Sequence, residues 1–502
     1  MSPTQSQAPR DPSTERLGVL EKTSFGFGNL ASCLYWQTFM AYLTIFYTDV
    51  VGIGAAAAGT MIGLSRGIDA FLDPVMGMLA DRTRTRWGKF RPFLLWFCVP
   101  LAVMGVLTFT VPDLGASGKL VWAYVTYNAI MLIYTAINIP YAALLGVITP
   151  NPIERTTLVS IQLVGAFVGG IIVSATLLPM AKVGGWLGAR TVAQGWQLSF
   201  VIYGLAAVAF FLTTFLNTRE RVSPPKAQQT SVLRDLGDLV TNGPWLIVLA
   251  TTITFILSGA IRSSVTAHYF KYYVGSQALT LPSFLPSSVA GTQTWGWESL
   301  VSVFNTSNQV ASLVGVILIP FFTRIAGRKA LVVALIIVAT ASAAALYSLK
   351  PDQMLLIYGT NLFLSVTSGP LVALLWAMYA DTADYAEWKR GRRATGLIFS
   401  AAIFSQKQGW ALGAWVALGL MQSVGFIANA TQTPRSLHGL VLLMSLIPAS
   451  LSALAVALVL FYPLTDAKMS QIASDLKERR AREAAGNPVP VLPDPSRGAA
   501  SA

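Results

Sequence analysis

Apolar residues in this sequence come in long blocks, without the alternation of half-buried strands or the stripes of surface helices. Blocks of about 20 residues or more, each able to cross a hydrocarbon core of roughly 30 Å as a helix, occupy 24–47, 56–79, 91–112, 120–148, 157–181, 197–217, 244–275, 298–322, 330–349, 353–380, 395–422 and 437–462. The pattern predicts an all-α integral membrane protein with twelve transmembrane helices. Polar segments divide the chain into an N-terminal tail (1–23), six spans (24–217), a central loop (218–243), six further spans (244–462) and a C-terminal tail (463–502). The last of these starts as a surface helix and ends as a disordered Pro- and Ala-rich segment.

Composition agrees: 54% of the residues are hydrophobic, only 11% are charged, and the mean hydropathy is +0.58. The net charge of +13 could indicate nucleic acid. Its basic residues, however, sit in short clusters between apolar blocks, with no aromatic-interleaved basic face. Membrane orientation explains them: Arg82, Arg84, Arg86, Lys89 and Arg91 follow the second block, Arg219, Arg221, Lys226 and Arg234 the sixth, and Lys389, Arg390, Arg392 and Arg393 the tenth. Positive loops face the cytoplasm, so both termini are expected there, in a multi-pass protein of a bacterial inner membrane. The partner is the lipid bilayer and not nucleic acid. Cys33 and Cys98 both fall in predicted spans, which argues against a disulfide framework. The polar N-terminus has no short apolar region ending in a cleavage site, so no removed signal peptide is expected.

The two sets of six spans echo one another. "ADRTRTRWGKFRP" after the second span returns as "TRIAGRKA" after the eighth, and "NPIERTTL" after the fourth as "KRGRRATG" after the tenth. Two related bundles around a midplane site are the layout of many secondary transporters. The loop around 276–297, rich in Ser, Pro and Gly, is an insertion on the external side.

One span breaks the apolar rule. "SRGIDAFLDP" (65–74) places Asp69 and Asp73 one helical turn apart on one face, with Arg66 three residues before Asp69. A charge at mid-membrane costs about 2.5–3.5 kcal/mol on insertion scales, so both carboxylates must face protein, water or a cation. An Arg66 salt bridge would be a purely structural answer, but one arginine cannot neutralise two acids. Their mutual repulsion favours a bound proton or a hard cation such as Na⁺ between them.

Other polar groups gather at similar depth. In "YTAINIPYAAL", Thr135 and Asn138 lie three residues apart, and Pro140 frees backbone carbonyls that could act as ligands. Interhelical hydrogen bonding is the competing role of both. Arg262 and Lys407 are the deep cations of the second half, with snorkelling as the alternative to a cavity role. In "GFGNLASCLYWQTF" the glycines allow close helix approach, and Trp36 offers a flat surface on which a sugar ring could stack, although most tryptophans in such a protein are belt or packing residues. His268 reads as a structural hydrogen-bonding residue and has no part in the expected mechanism. No phosphate-cradling G-x-x-x-x-G-K-[ST] loop occurs, which argues against transport driven by the chain's own ATP hydrolysis. Neither a His/Cys metal centre nor any cofactor is indicated.

Taken together, "FYTDVVGI", "GIDAFLDPVMGMLADRTRTRWGKFRP", "NIPYAAL", "IR…HYFKYYVG" and "ADTADYAEWKRGRRATG" resemble the glycoside–pentoside–hexuronide:cation symporters of the major facilitator superfamily, from about Phe25 to Tyr462. The resemblance implies two pseudo-symmetric six-helix bundles and a monomer. It implies cation binding at Asp69 and Asp73, with Thr135 beside them and Lys407 near both the cation and the sugar. It also implies a cytoplasmic ionic lock made by Arg155, Asp381, Asp384 and Arg393. Three substrate positions depart from the family's patterns: Cys33 and Asn138 stand where the melibiose-permease type has aspartates, and Gln162 stands where many members have an arginine. A galactoside of the melibiose kind is therefore disfavoured.

The sequence thus describes a secondary active transporter that carries a small glycoside, sugar or sugar acid together with Na⁺ or H⁺ by alternating access. Expected substrate contacts are Cys33, Trp36, Arg66, Asn138, Gln162, Arg262 and Lys407; expected cation ligands are Asp69, Asp73, Thr135 and Asn138. The first alternative is a less polar, lysolipid-like substrate. A membrane-embedded enzyme or sensor is the remote one, since neither a catalytic constellation nor a signalling domain is present.

Overall fold

A computed structural model describes residues 16–222, 239, 241–281, 291–390 and 395–484. Twelve helices carry the fold: α1 (Val19–Ala41), α2 (Ala55–Arg82), α3 (Arg91–Thr108), α4 (Ala116–Ile148), α5 (Pro152–Ala181), α6 (Val192–Asn217), α7 (Gly243–His268), α8 (Trp297–Ala326), α9 (Arg328–Ala345), α10 (Met354–Arg390), α11 (Thr395–Ser423) and α12, which Ser445 breaks into Pro434–Met444 and Leu446–Leu460. A thirteenth, α13 (Asp466–Ala484), lies on the end of α10, where Trp388 Nε1 donates to Asp475 at 2.7 Å. Side chains fix several starts: Asn151 accepts from the N–H groups of Ile153 and Glu154, Asn242 from that of Trp245, and Thr433 from that of Ser436.

Nine of the twelve are apolar and long enough to cross a membrane by composition alone. The other three are α1, α2 and α11. Two of these carry intramembrane charges of the ion cluster and its surroundings, Arg66, Asp69 and Asp73 on α2 and Lys407 on α11. The polarity that weakens their hydropathy is the polarity of the site.

The packing is a repeat. Within the first bundle α1 packs on α5 and α6, α3 on α4 and α6, and α2 on α4; each pairing recurs six helices later, α7 on α11 and α12, α9 on α10 and α12, and α8 on α10. The bundles meet through α2 with α11 and α5 with α8, two contacts that the same offset exchanges. The sequence echo now has a physical cause. Glu220, just past α6, accepts backbone N–H bonds from Lys89, Phe90 and Arg91 at 2.8–3.0 Å, and Asp466, just past α12, accepts from Arg328 N at 2.9 Å. Gly88 (φ 113°) and Gly327 (φ 73°) lie beneath these carboxylates, where a Cβ would come within 2.5 and 2.4 Å of them. Each of these two loops is therefore built around one acid and one left-handed glycine.

A second echo lies at the opposite end. Both α1, through the short turn Leu43–Ile45, and α7 run into a single π-helical turn, Phe46–Val51 and Tyr269–Val274, each closed by a glycine of positive φ, Gly52 and Gly275. Where the sequence suggested an irregular external insertion, two strands pair: β1 (Gln277–Leu281) runs antiparallel to β2 (Gly291–Trp295), with Gln277 opposite Trp295. The alternating segments "QALTL" and "TQTW" suit this pairing. We call this the hairpin face, and the end bearing the basic loops the basic face.

The apolar cores are not symmetric between the faces. One core fills the first bundle and continues into the hairpin-face ends of α7, α8, α10, α11 and α12. The other is confined to the basic-face ends of the second bundle and α13. Among the described residues, a shared apolar core joins the bundles at the hairpin face and none joins them at the basic one.

Candidate functional site

Four side chains from three helices meet at the i, i+4 acid pair of α2. Lys407 Nζ reaches from α11 to Asp69 Oδ2 at 2.8 Å and to Asp73 Oδ2 at 2.6 Å. Thr135 Oγ1 on α4 donates to Asp69 Oδ1 at 2.6 Å. Asp69 and Thr135 are buried, and Asp73 keeps 14% of its side chain exposed. Two carboxylates face one ammonium, so the groups in direct contact sum to −1. The lysine belongs to the other bundle, and this ion bridge is at the same time a contact between the halves.

Arg66 does not take the place sequence spacing offered it. Its Nε donates to the Tyr127 hydroxyl (3.0 Å), Nη2 to the Phe39 carbonyl (2.9 Å) and Nη1 to the Trp410 carbonyl (3.2 Å). All three guanidinium nitrogens are used, across both bundles, and the arginine acts as a strut. Asn138, one turn from Thr135, donates to the Tyr134 carbonyl of its own helix at 3.0 Å.

A cavity of about 750 Å³ lies between the bundles. Trp36 and Gln37 of α1, Arg262 of α7, Asn305, Asn308 and Gln309 of α8, and Trp376 and Trp410 line it. Trp410 follows Lys407 by three residues on α11, so cavity and ion cluster share one helix face. Trp36 stacks one side of its indole on Tyr134, with ring centroids 6.0 Å apart and planes 18° from parallel. Of the other expected substrate contacts, Cys33 packs where α1 meets Gly169 of α5, and Gln162 lends its carbonyl to Asn29 at 2.8 Å. Neither they nor Arg66, Asn138 and Lys407 are among the residues that line this cavity.

The structure adds a polar cluster that sequence reasoning missed. At the hairpin face Asp49, in the π turn after α1, accepts from Lys271 Nζ (2.6 Å) and from the Tyr272 hydroxyl, both in the matching turn after α7. His268 Nε2 lies 3.4 Å from Asp49 and 2.8 Å from the Thr48 hydroxyl. Asn429, held at φ 57°, accepts from Lys271 (2.7 Å) and donates to the Asp49 carbonyl (2.7 Å). The Asp49 side chain is 3% exposed. Burial opposes its charge, but the His268 hydrogen bond and the nearby Lys271 prevail and hold the carboxyl well below the usual carboxylate range. A signal for this latch was present in the sequence: "YTDVVG" and "FKYYVG" occupy matching places six spans apart with opposite charges.

The basic face is different. Asp381 pairs with Arg328 at 2.9 Å, within its own bundle, and Arg155 Nη2 donates to the Thr149 carbonyl at 3.1 Å, within its own. Asp384 follows one turn after Asp381, and Arg393 lies outside the described residues. Among the described residues, hydrogen bonds between bundles run from the hairpin face (Asp49, Thr48, Thr44) through Arg66 to the Lys407–Asp73 contact and go no deeper toward the basic face.

A family model described as "MFS/sugar transport protein" matches residues 24–466. The chain belongs to this family, among the glycoside–pentoside–hexuronide:cation symporters. YagG of Escherichia coli (strain K12), whose name describes a glycoside/cation symporter, is 33% identical across 95% of this chain and 98% of its own. The isoprimeverose transporter of Lactiplantibacillus pentosus is 32% identical, over 92% of each chain. Among solved structures, the nucleoside transporter NupG superposes with a TM-score of 0.57 at 14% identity, covering 88% of this chain and 99% of that one, a likeness of fold alone. The symporter fold accounts for the twelve helices, the sixfold offset and the cavity between bundles. The chain is a multi-pass membrane transporter and not an enzyme.

Proposed function

We propose that this symporter moves a sugar or glycoside into the cell together with Na⁺ or H⁺, with the basic face in the cytoplasm and both termini on that side. The observation that carries the coupling mechanism is the Lys407 ammonium seated between Asp69 and Asp73. It marks where a positive charge is held, and it is tethered to the opposite bundle. An arriving cation, coordinated by the two carboxylates and the Thr135 hydroxyl or bound as a proton, replaces the ammonium. The replacement breaks one bundle-to-bundle contact and frees Lys407 toward the cavity. Two charge states of one site then favour two arrangements of the bundles, and a ligand shifts the balance by its differential affinity for them.

The cross-bundle contacts support reading this conformation as closed outward. The Asp49–Lys271 latch shuts the hairpin face, while Asp381 pairs with Arg328 and Arg155 bonds to the Thr149 carbonyl, each within its own bundle. In the opposite state the same residues, with Asp384 and Arg393, would pair across the bundles and the latch would part. Leu163, Phe167, Phe255 and Val316 on the cavity wall favour a second reading, a substrate with an apolar portion such as a hydrophobic aglycone.

The test is uptake of radiolabelled glycosides into vesicles bearing an imposed Na⁺ or pH gradient. Wild type accumulates sugar uphill under one gradient, and Asp73→Asn loses uphill accumulation. Undiminished uphill uptake by that variant refutes the coupling site.

A further inference from the structure

The cavity between the bundles is lopsided. Beyond α1 and α5, its described wall belongs wholly to the second bundle, and it runs as far as Ala339 and Ala343 of α9 and Pro448 and Ser452 of α12. Since α9 packs on α10 and α12, a cavity that reaches it has crossed the bundle. The counterparts of these two helices in the first bundle, α3 and α6, contribute no residue to the described wall.

Superposing the two π turns residue on residue accounts for the difference. It sets Tyr35 against Ser258, Trp36 against Gly259 and Phe39 against Arg262. Tyr35 is fully buried: its Cε1 lies 2.8 Å from where a Cβ on Gly105 of α3 would stand, and its ring centroid is 5.9 Å from that of Phe200 of α6. That ring plugs the junction of α1, α3 and α6. Ser258 faces the equivalent helix, donating to the Pro448 carbonyl at 2.8 Å and lying 2.9 Å from the Ser452 hydroxyl, but it is too short to fill the junction. A Cβ on Gly259 would meet no atom within 4 Å. The space that a tyrosine closes in one bundle stands open as a side chamber in the other.

The chamber and the bundle interface differ in chemistry. The side-chain amides of the wall, Gln37, Asn305, Asn308 and Gln309, all stand on α1 and α8. Inside the second bundle Ser258 and Ser452 spend their hydroxyls on each other and on a carbonyl, and Ile256, Ala339, Ala343 and Ala373 are apolar. A sugar hydroxyl entering there would lose its bonds to water without replacement, whereas methylene or aryl surface would gain by leaving water. We propose that the chamber is a separate subsite that selects the aglycone. The sugar ring stays with the amides of α1 and α8, an apolar aglycone passes the gap at Gly259, and side-chain volume at Ser258, Gly259, Ala339 and Ala343 sets the length accepted. This rests on the sugar-symport reading and adds specificity-determining residues deep inside one bundle.

Matched pairs test this: methyl and butyl β-glucoside, and methyl and butyl β-xyloside, titrated onto the full chain in lipid nanodiscs with empty discs as the blank. Each methylene that enters the chamber should tighten binding about fourfold, so the butyl member of at least one pair should bind at least about tenfold tighter than the methyl. Ala343→Leu and Gly259→Leu, which fill the chamber from opposite sides, should each cut that preference to below about threefold, and Ala343→Val should fall between. Ile337→Leu, on the exposed side of α9, should keep it. Gly259→Leu decides if Ala343→Leu does not yield monodisperse protein, because its new Cβ enters open space. Butyl glycosides that bind no tighter than methyl ones in wild type, or a preference that survives Gly259→Leu, overturn the proposal while leaving sugar symport intact. If none of these glycosides binds or accumulates under a cation gradient, the glycoside-symport reading falls and this inference with it.

Discussion

Asp49→Asn should open the hairpin face. The substitution leaves Lys271 without its carboxylate, removes the acceptor of the Tyr272 hydroxyl and weakens the hold of His268, all in a cluster where the acid is 3% exposed. Breaking a buried ion pair from one side costs about 3–5 kcal/mol. Lys271 keeps 22% of its side chain in contact with solvent, so solvent relieves part of that cost and about 2–3 kcal/mol is expected here. The outward-open state, in which the latch is already broken, does not pay it. At about 1.4 kcal/mol per factor of ten, the balance moves toward that state by roughly 30- to 140-fold. Spin labels on Val183 and Ile427, exposed residues of opposite bundles at this face, report the change as a distance distribution. In Asp49→Asn the distribution should gain a longer population, and Lys271→Met should reproduce it. Adding the second change to the first should have little further effect, because both remove one interaction. Distributions identical to wild type would refute the latch and, with it, the assignment of this conformation as outward-closed.

The remaining predictions concern acidity, the loops and the cation ligands. Because folded Asp49 has a depressed pKa, its contribution is complete above the usual carboxylate range and is lost only as pH falls through the lower folded value; the Val183–Ile427 distances should therefore be the same at pH 5 as at pH 7.5, and an opening by pH 5 would contradict this. Glu220→Ala strands three backbone N–H groups and should lower stability by about 2 kcal/mol, read as a fall in the unfolding temperature, whereas the 48%-exposed Asp466 should cost less. Thr135→Ala removes a 2.6 Å hydrogen bond to Asp69 and one oxygen ligand, and should raise the coupling-cation concentration for half-maximal uptake by about tenfold; an unchanged value would remove Thr135 from the site.

What could be read from the sequence follows from the range of the physics involved. Hydropathy found the helices because the bilayer demands length and apolarity locally, but it ended the tenth span at 380 where α10 continues through "DTADYAEWKR" to Arg390, since a helix leaving the membrane changes composition without changing conformation. It also ran 437–462 as one piece across the break at Ser445. The i, i+4 spacing placed Asp69 and Asp73 together because helical periodicity is local. Lys407 was singled out by its depth, but its pairing with both acids spans more than 330 residues and depends on how the bundles pack. Arg66 stood nearest in sequence, and backbone carbonyls, which no sequence pattern displays, took it instead. The pairings expected of Arg155 and Asp381 are long-range contacts between bundles, and in this structure each of the two residues bonds within its own bundle instead.

The central claim is that Asp69 and Asp73 exchange a tethered ammonium for a mobile cation. Its most direct test is the unfolding temperature of purified Lys407→Met as Na⁺ concentration and pH are varied, beside wild type. The account predicts that the variant is less stable than wild type in choline buffer at neutral pH and that either Na⁺ or acid restores it by more than it stabilises wild type, an effect lost when Asp73→Asn is added. A variant that neither Na⁺ nor protons restore would contradict it.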